Sequence, residues 1–216
     1  MNLLVLLVLL CYIAEIQAKS ILLILLGCNI RSILLDRLET SIKFIEQFIQ
    51  SDANTSHVVS LNSFEVSNPQ IKITWFLSGG IKNNLEGAVS EASILKSQID
   101  NNINLKSTNA LTKTQFDGIE WNFVMDEKST NTAENFIWAS HFLNTTTQSF
   151  DDIYVITSNF HFQRASRMLE LIDLSRNFKW ILGEIEEKDS RYWEKIHIRN
   201  VETDVVKART KLKALM

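Results

Sequence analysis

Short, almost continuously apolar runs separated by longer stretches of helical spacing constrain this chain more than any other feature. Ile21 to Leu26, Ile71 to Leu77, Ile119 to Met125 and Ile153 to Ile156 are rich in Ile, Leu and Val. A strand of that kind is buried on both faces, because a strand with one wet face alternates apolar and polar residues. The segments between them predict helices at Ile33 to Gln50, Ser90 to Asn101, Thr132 to Leu143 and Gln163 to Leu174. A fifth strand is expected from Phe178 to Leu182, and the tail from Val201 to Leu215 reads as a closing helix. Strands alternating with helices imply crossover connections and a parallel sheet of about five strands between two helical layers: an α/β, three-layer sandwich.

The chain has 216 residues, 45% of them hydrophobic and 22% charged, which fits one globular domain with an ample core. Two segments interrupt the rhythm. Ser51 to Gln70 holds the single proline, Pro69, with room for an extra strand around Val58 to Val66, and Asn102 to Asp117 reads as a polar surface insertion. Both have the composition of lid-like loops. A net charge of −3 and a pI near 5.8 give no electrostatic footprint for nucleic acid.

Residues 1–18 read as a secretory signal peptide. Met1 to Ala14 is almost wholly apolar, Glu15 and Gln17 follow, and Ala18 is small enough for cleavage, although no Lys or Arg precedes the apolar run. That run falls short of the ~20 residues that span a bilayer, so membrane contact is expected only through this segment if it stays uncleaved. Two glycosylation triplets, at Asn54 and Asn144, fit the same secretory route. The mature domain, 19–216, then keeps one cysteine, Cys28, which leaves no intrachain disulfide and reads as a small buried hydrophobe, or as a nucleophile if a basic neighbour stands beside it.

Each expected strand ends in polar or flexible residues, at the edge where parallel sheets bind ligands. The first ends in Gly27, Cys28 and Asn29, with Arg31 and Arg37 beyond; the second ends in Ser78, Gly79 and Gly80, with Glu91 opening the next helix. Paired glycines let the backbone approach an anion, or simply make a tight turn. The third ends near Glu127, followed by Ser129, Thr130, Asn131 and Thr132; Asn131 and Glu134 form a capping box, and Asn135 lies one turn in. The fourth passes through Thr157 and Ser158 into His161 and Arg164, on the first turn of a helix. A His that exchanges protons near neutrality and a permanently charged Arg make an acid/base and anion-clamp pair, or else a capped helix with a surface ion pair.

No G-x-G-x-x-G follows the first strand, and neither G-x-x-x-x-G-K-[ST] nor G-x-S-x-G occurs. His57, His141, His161 and His197 are scattered and there is no CxxC pair, so zinc has little support. A classical dehydrogenase, P-loop NTPase or serine hydrolase is disfavoured.

In order and spacing, the strand-end motifs resemble the family called domain of unknown function 218 (DUF218). The residues that carry the likeness are Leu25 to Gly27 with Arg31 and Asp36 to Leu38, then Leu77 to Gly80, then Ser90 to Ala92. They continue with Glu127, Ser129, Asn131, Thr132, Glu134 and Asn135, and with Val155 to Ser158, His161, Arg164 and Ala165. The resemblance covers nearly the whole mature chain. It implies a Rossmann-like sandwich whose strand-end residues converge in one pocket. It also implies a connection with cell-envelope and peptidoglycan-precursor metabolism and, from one member, S-adenosylmethionine as a ligand or cofactor, but it implies no single reaction. Cys28 and Asn29 stand where the family is richer in glycine, and the two long insertions are further departures.

The resulting expectation is an enzyme, a hydrolase or transferase, acting on a phosphate- or pyrophosphate-bearing small molecule such as a lipid-linked glycan precursor. The Ser78 to Gly80 backbone and Arg164 would hold the anion, His161 would act as acid or base, and Glu91 or Glu127 would orient it, a water or a divalent metal. The alternatives are a module that binds a nucleotide or S-adenosylmethionine without turnover, and a scaffold.

Overall fold

The computed structural model describes residues 19–55, 71–81, 89–108, 119–173 and 175–215. In chain order the elements are β1 (Ser20–Leu26), α1 (Arg31–Thr55), β2 (Ile71–Ser78), α2 (Glu91–Thr108), β3 (Ile119–Asp126) and α3 (Thr132–Thr145). There follow β4 (Asp152–Ser158), a 3₁₀ turn (Asn159–His161), α4 (Phe162–Ile172), β5 (Phe178–Gly183), α5 (Ser190–His197), a second 3₁₀ turn (Ile198–Asn200) and α6 (Val201–Leu215). The five strands form one all-parallel sheet in the order β3-β2-β1-β4-β5. Helices cover both faces, giving the Rossmann-like three-layer sandwich.

The central position of β1 explains its composition. Ile21, Leu23 and Leu25 pack under α1 and α2, while Leu22, Ile24 and Leu26 pack under α3, α4 and α6. None of the six exceeds 1% exposure, so neither face tolerates a polar residue; each contributes roughly 1.5–3 kcal/mol of burial. The outer strands β3 and β5 are only half-buried, which for β3 is contrary to the expectation of two covered faces, because each has a single strand neighbour. Glu120 in β3 accordingly faces solvent and pairs with Lys72 at 3.1 Å.

Helix α2 runs seven residues past the expected stop at Asn101, so the start of the presumed insertion is helical. The expected strand at Val58 to Val66, the rest of that insertion and the signal segment lie outside the described residues. Among those described, no helix is long and apolar enough to cross a membrane. Asn144 is exposed at the end of α3, where its Oδ1 accepts from Arg176 at 2.8 Å.

The strand order has one consequence for function. After β1 the chain winds outward through β2 and β3, then returns to place β4 on the other side of β1. The connections leaving β1 and β4 therefore diverge, and a crevice opens beyond their carboxyl ends.

Candidate functional site

A cleft of about 680 Å³ occupies that crevice. Its floor is Gly27, Cys28 and Asn29 at the end of β1, and its walls are Asn131 and Thr132 at the start of α3 and His161 and Arg164 at the start of α4. The far wall comes from α5 and the residues before it, through Lys188, Trp193, Glu194 and His197. The first turns of α1, α3 and α4 all border this space. The helix dipoles at these first turns favour an anion, although the Glu134 N–H is taken by the Asn131 side chain and the Phe162 N–H by the Asn159 carbonyl.

His161 is 4% exposed and sits between two partners. Its Nδ1 lies 2.9 Å from Oε1 of Glu194, and its Nε2 lies 3.2 Å from Oγ1 of Thr132. Arg164 clasps the same carboxylate, from Nε to Oε2 at 2.6 Å and from Nη2 to Oε1 at 2.8 Å. These hydrogen bonds to Arg164 and His161 outweigh the opposing effect of burial and hold the Glu194 carboxyl down at about 2. An ionised carboxylate only accepts, so Nδ1 carries the proton and Nε2 is left with its lone pair towards the Thr132 hydroxyl. Nη2 of Arg164, 3.1 Å from Nδ1, is then a crowding cation rather than a donor to the ring. Burial pushes the imidazole down to about 4; Arg164 and Arg37 push the same way, against Glu194. At neutral pH the ring is an uncharged base.

Glu194 reaches the ring because the segment before α5 is tied across the start of α1. Oδ2 of Asp36 accepts from the Ile185 N–H at 3.1 Å, and Ser32 donates to Glu187 at 2.6 Å. Asp189 then takes a left-handed turn, φ 67°, into α5. No expectation drawn from the sequence included Glu194 or α5. The available signal was the spacing of Trp193, Glu194 and His197, which places them on neighbouring parts of one helical surface.

Arg37 is 2% exposed and ties the two central strand ends together. Its Nε donates to Ser158 Oγ at 2.9 Å, and its Nη1 to the carbonyls of Leu26 at 2.9 Å and Gly27 at 3.0 Å. Burial lowers its pKa, while Cys28, Glu91 and Glu194 act in the opposite direction. Arg37 borders the cleft as well, so one side chain joins the sheet to the site.

Ser78, Gly79, Gly80, Glu91, Glu127 and Ser129, also expected at the site, form a second cluster between the ends of β1, β2 and β3. Ser78 donates to Asp126 at 2.5 Å, and Ser129 donates to the same carboxylate. The Gly79 and Gly80 N–H groups, expected to hold an anion, instead bond the carbonyls of Asp126 at 2.9 Å and Ser129 at 2.6 Å. Gly79 has φ 143°, and the Glu91 carboxylate lies where a Cβ on Gly27 or Gly79 would project. Glu127 is exposed and accepts from Ser90 and Ser93, both at 2.5 Å, which fixes the start of α2 and lowers its pKa. Neither Glu91 nor Glu127 orients His161; Glu194 does. Among the described residues, no group of three or more His, Cys, Asp or Glu is placed to hold a metal ion, so the divalent metal considered at Glu91 or Glu127 has no ligand set there.

Arg31 is exposed outside the cleft wall. Asn131 caps α3 through Oδ1, which accepts from the Glu134 N–H at 3.0 Å. The return bond of the capping box is shifted by one residue, since Glu134 accepts from the N–H of Thr130 at 2.8 Å, and Lys211 pairs with it at 2.6 Å. Asn135 and Thr157 lie buried, with Asn135 Oδ1 and Thr157 Oγ1 lacking a partner. No protein-family model, curated protein or solved structure matches this chain.

Proposed function

We propose that the chain is a hydrolase or transferase of a phosphate- or pyrophosphate-bearing small molecule, with chemistry in the β1/β4 cleft. One observation carries this reading: Nε2 of a buried, uncharged His161 opens towards a hydroxyl at the mouth of α3, while Glu194 fixes the opposite ring nitrogen. A base with its lone pair held towards a reacting group gives about 10²–10⁴ in rate. The first turns of the bordering helices hold the anion, and Nη1 of Arg164 lies outside the clasp of Glu194. The motif resemblance to domain of unknown function 218 fixes no reaction, but the connection of that family with peptidoglycan-precursor metabolism is the ground for extending the substrate class to lipid-linked glycan precursors. The amino-terminal segment and the two glycosylation triplets support a secretory location.

The cleft also has an aromatic rim, with Trp193 52% exposed and its ring 6.3 Å from that of His197. This favours, as the second reading, a nucleotide or S-adenosyl ligand bound without turnover, its base against Trp193. The two readings separate on product formation. The test is turnover of p-nitrophenyl phosphate, a p-nitrophenyl phosphodiester and an isoprenyl pyrophosphate by the wild type and His161→Ala. We expect the variant to lose about 10²–10⁴ in kcat/KM. An undiminished rate in His161→Ala, or no turnover of any of the three by the wild type, overturns the enzyme reading.

A further inference from the structure

The contact between Thr132 and His161 has a chemical meaning that the base alone does not exhaust. Thr132 Oγ1, His161 Nε2, His161 Nδ1 and Glu194 Oε1 form a continuous relay with steps of 3.2 Å and 2.9 Å. A nucleophile–base–orienter series is recognised by such geometry and not by the order of residues in the chain. The hydroxyl is on the first residue of α3, where the helix dipole stabilises a developing alkoxide. It is half-buried, and it lines the cleft beside Asn131. Capping of α3 is done by Asn131 and Glu134, so the Thr132 hydroxyl is not needed for the cap.

Resting on the phosphoryl reading above, we propose that Thr132 is the nucleophile and that the reaction runs through a phosphothreonine. In the first step the Thr132 O–H proton passes to His161 Nε2 as the Oγ1–P bond forms. The bond from phosphorus to the leaving oxygen breaks, and that oxygen takes the proton from the imidazolium. In the second step water, or an acceptor alcohol, gives its proton to His161 and attacks phosphorus. The Oγ1–P bond breaks, and the imidazolium returns its proton to the threonine. Glu194 is a positioning residue that holds the ring tautomer throughout.

Two inversions at phosphorus give net retention, whereas direct attack of water activated by His161 gives one inversion. The deciding experiment follows the full chain turning over an isotopically chiral phenyl phosphate, with an alcohol as acceptor. Acid-quenched protein is mapped in parallel for a phosphoryl group on the peptide holding Thr132. Retention is expected, with Thr132→Ser active and Thr132→Ala, His161→Ala and the double variant all reduced about equally, because residues that act as one unit are not additive. Inversion, or turnover by Thr132→Ala near the wild-type rate, overturns the nucleophile while leaving the enzyme reading intact. Absence of any turnover by the wild type overturns both.

Discussion

Glu194 and His161, 33 residues apart in the chain, meet at 2.9 Å across the β1/β4 crevice, and the carboxylate fixes which ring nitrogen bears the proton. Replacing Glu194 with Gln keeps the shape but removes the charge that selects Nδ1–H, and it leaves the Arg164 guanidinium beside the ring uncompensated. The expected result is a kcat lower by about 10² with a smaller change in KM, since the group acts through the base and not on bound substrate. Steady-state kinetics on a p-nitrophenyl ester measure the split. A change confined to KM would place Glu194 in substrate binding instead.

The same pair sets a pH dependence of stability. His161 drops from its ordinary value of 6.5 to about 4 on folding, so between those pH values the unfolded chain binds more protons than the folded one. Stability therefore rises with pH across that window and is fully present above about pH 6.5. It is lost as pH falls towards 4, by about 3 kcal/mol at most. Glu194, lowered to about 2, adds a further loss between its unfolded value near 4.3 and about 2. Denaturant midpoints measured at pH 7, 6 and 5 should fall in that order, and His161→Gln should flatten the slope. An equal slope in the variant would assign it to other groups.

Arg37 is expected to matter more for folding than its place beside the cleft suggests. Removing it as Arg37→Met leaves Ser158 Oγ and the carbonyls of Leu26 and Gly27 without their donors in a buried setting. Each hydrogen bond to a charged group contributes about 1.5–3 kcal/mol, so a loss of about 3 kcal/mol or more is expected by chemical denaturation. Arg37→Lys should recover little, because one ammonium cannot reproduce the fork that joins two strand ends. A fully stable Met variant would refute the latch.

The fold was legible because burial on both faces leaves a mark in the sequence. The β1 run from Ile21 to Leu26 has no polar position, and the strand is central; Glu120 and Asn122 interrupt β3, against the expectation of two buried faces, and β3 is an edge. His161 and Arg164 were legible for a related reason, as ionisable residues directly after a buried strand. Glu194 was not, since α5 has only eight residues, of which Ser190 alone is buried, and its position depends on the ties of Asp36 and Ser32. Nor does a Ser-Gly-Gly sequence say whether its N–H groups meet a ligand or a neighbouring carbonyl. Here the last residue of β3 and the loop after it take the two glycine N–H groups.

Gly79 provides a test of that second cluster. Its φ of 143° is strained for any side chain, and a Cβ there would lie 2.8 Å from Glu91 Cβ. Gly79→Ala should therefore destabilise the protein by about 1–3 kcal/mol from backbone strain alone, with displacement of Glu91 added. The measurement is the urea midpoint of unfolding. A midpoint within error of the wild type would show that the turn after β2 relaxes at no cost.

Trp193 determines whether the cleft reads more than charge. Its half-exposed ring stands at the rim next to His197, on the helix that also supplies Glu194 to the base. Stacking on an aromatic side chain contributes about 1–3 kcal/mol per base, so Trp193→Ala should weaken binding of a nucleoside diphosphate about 10- to 100-fold. Inorganic phosphate has no ring to lose, and its affinity should be unchanged. Calorimetric titration of both ligands against both proteins makes the comparison within one experiment. A parallel loss for phosphate would mean that the substitution had shifted α5 and with it Glu194, whereas no loss for either would leave the anion as the whole of what the cleft recognises.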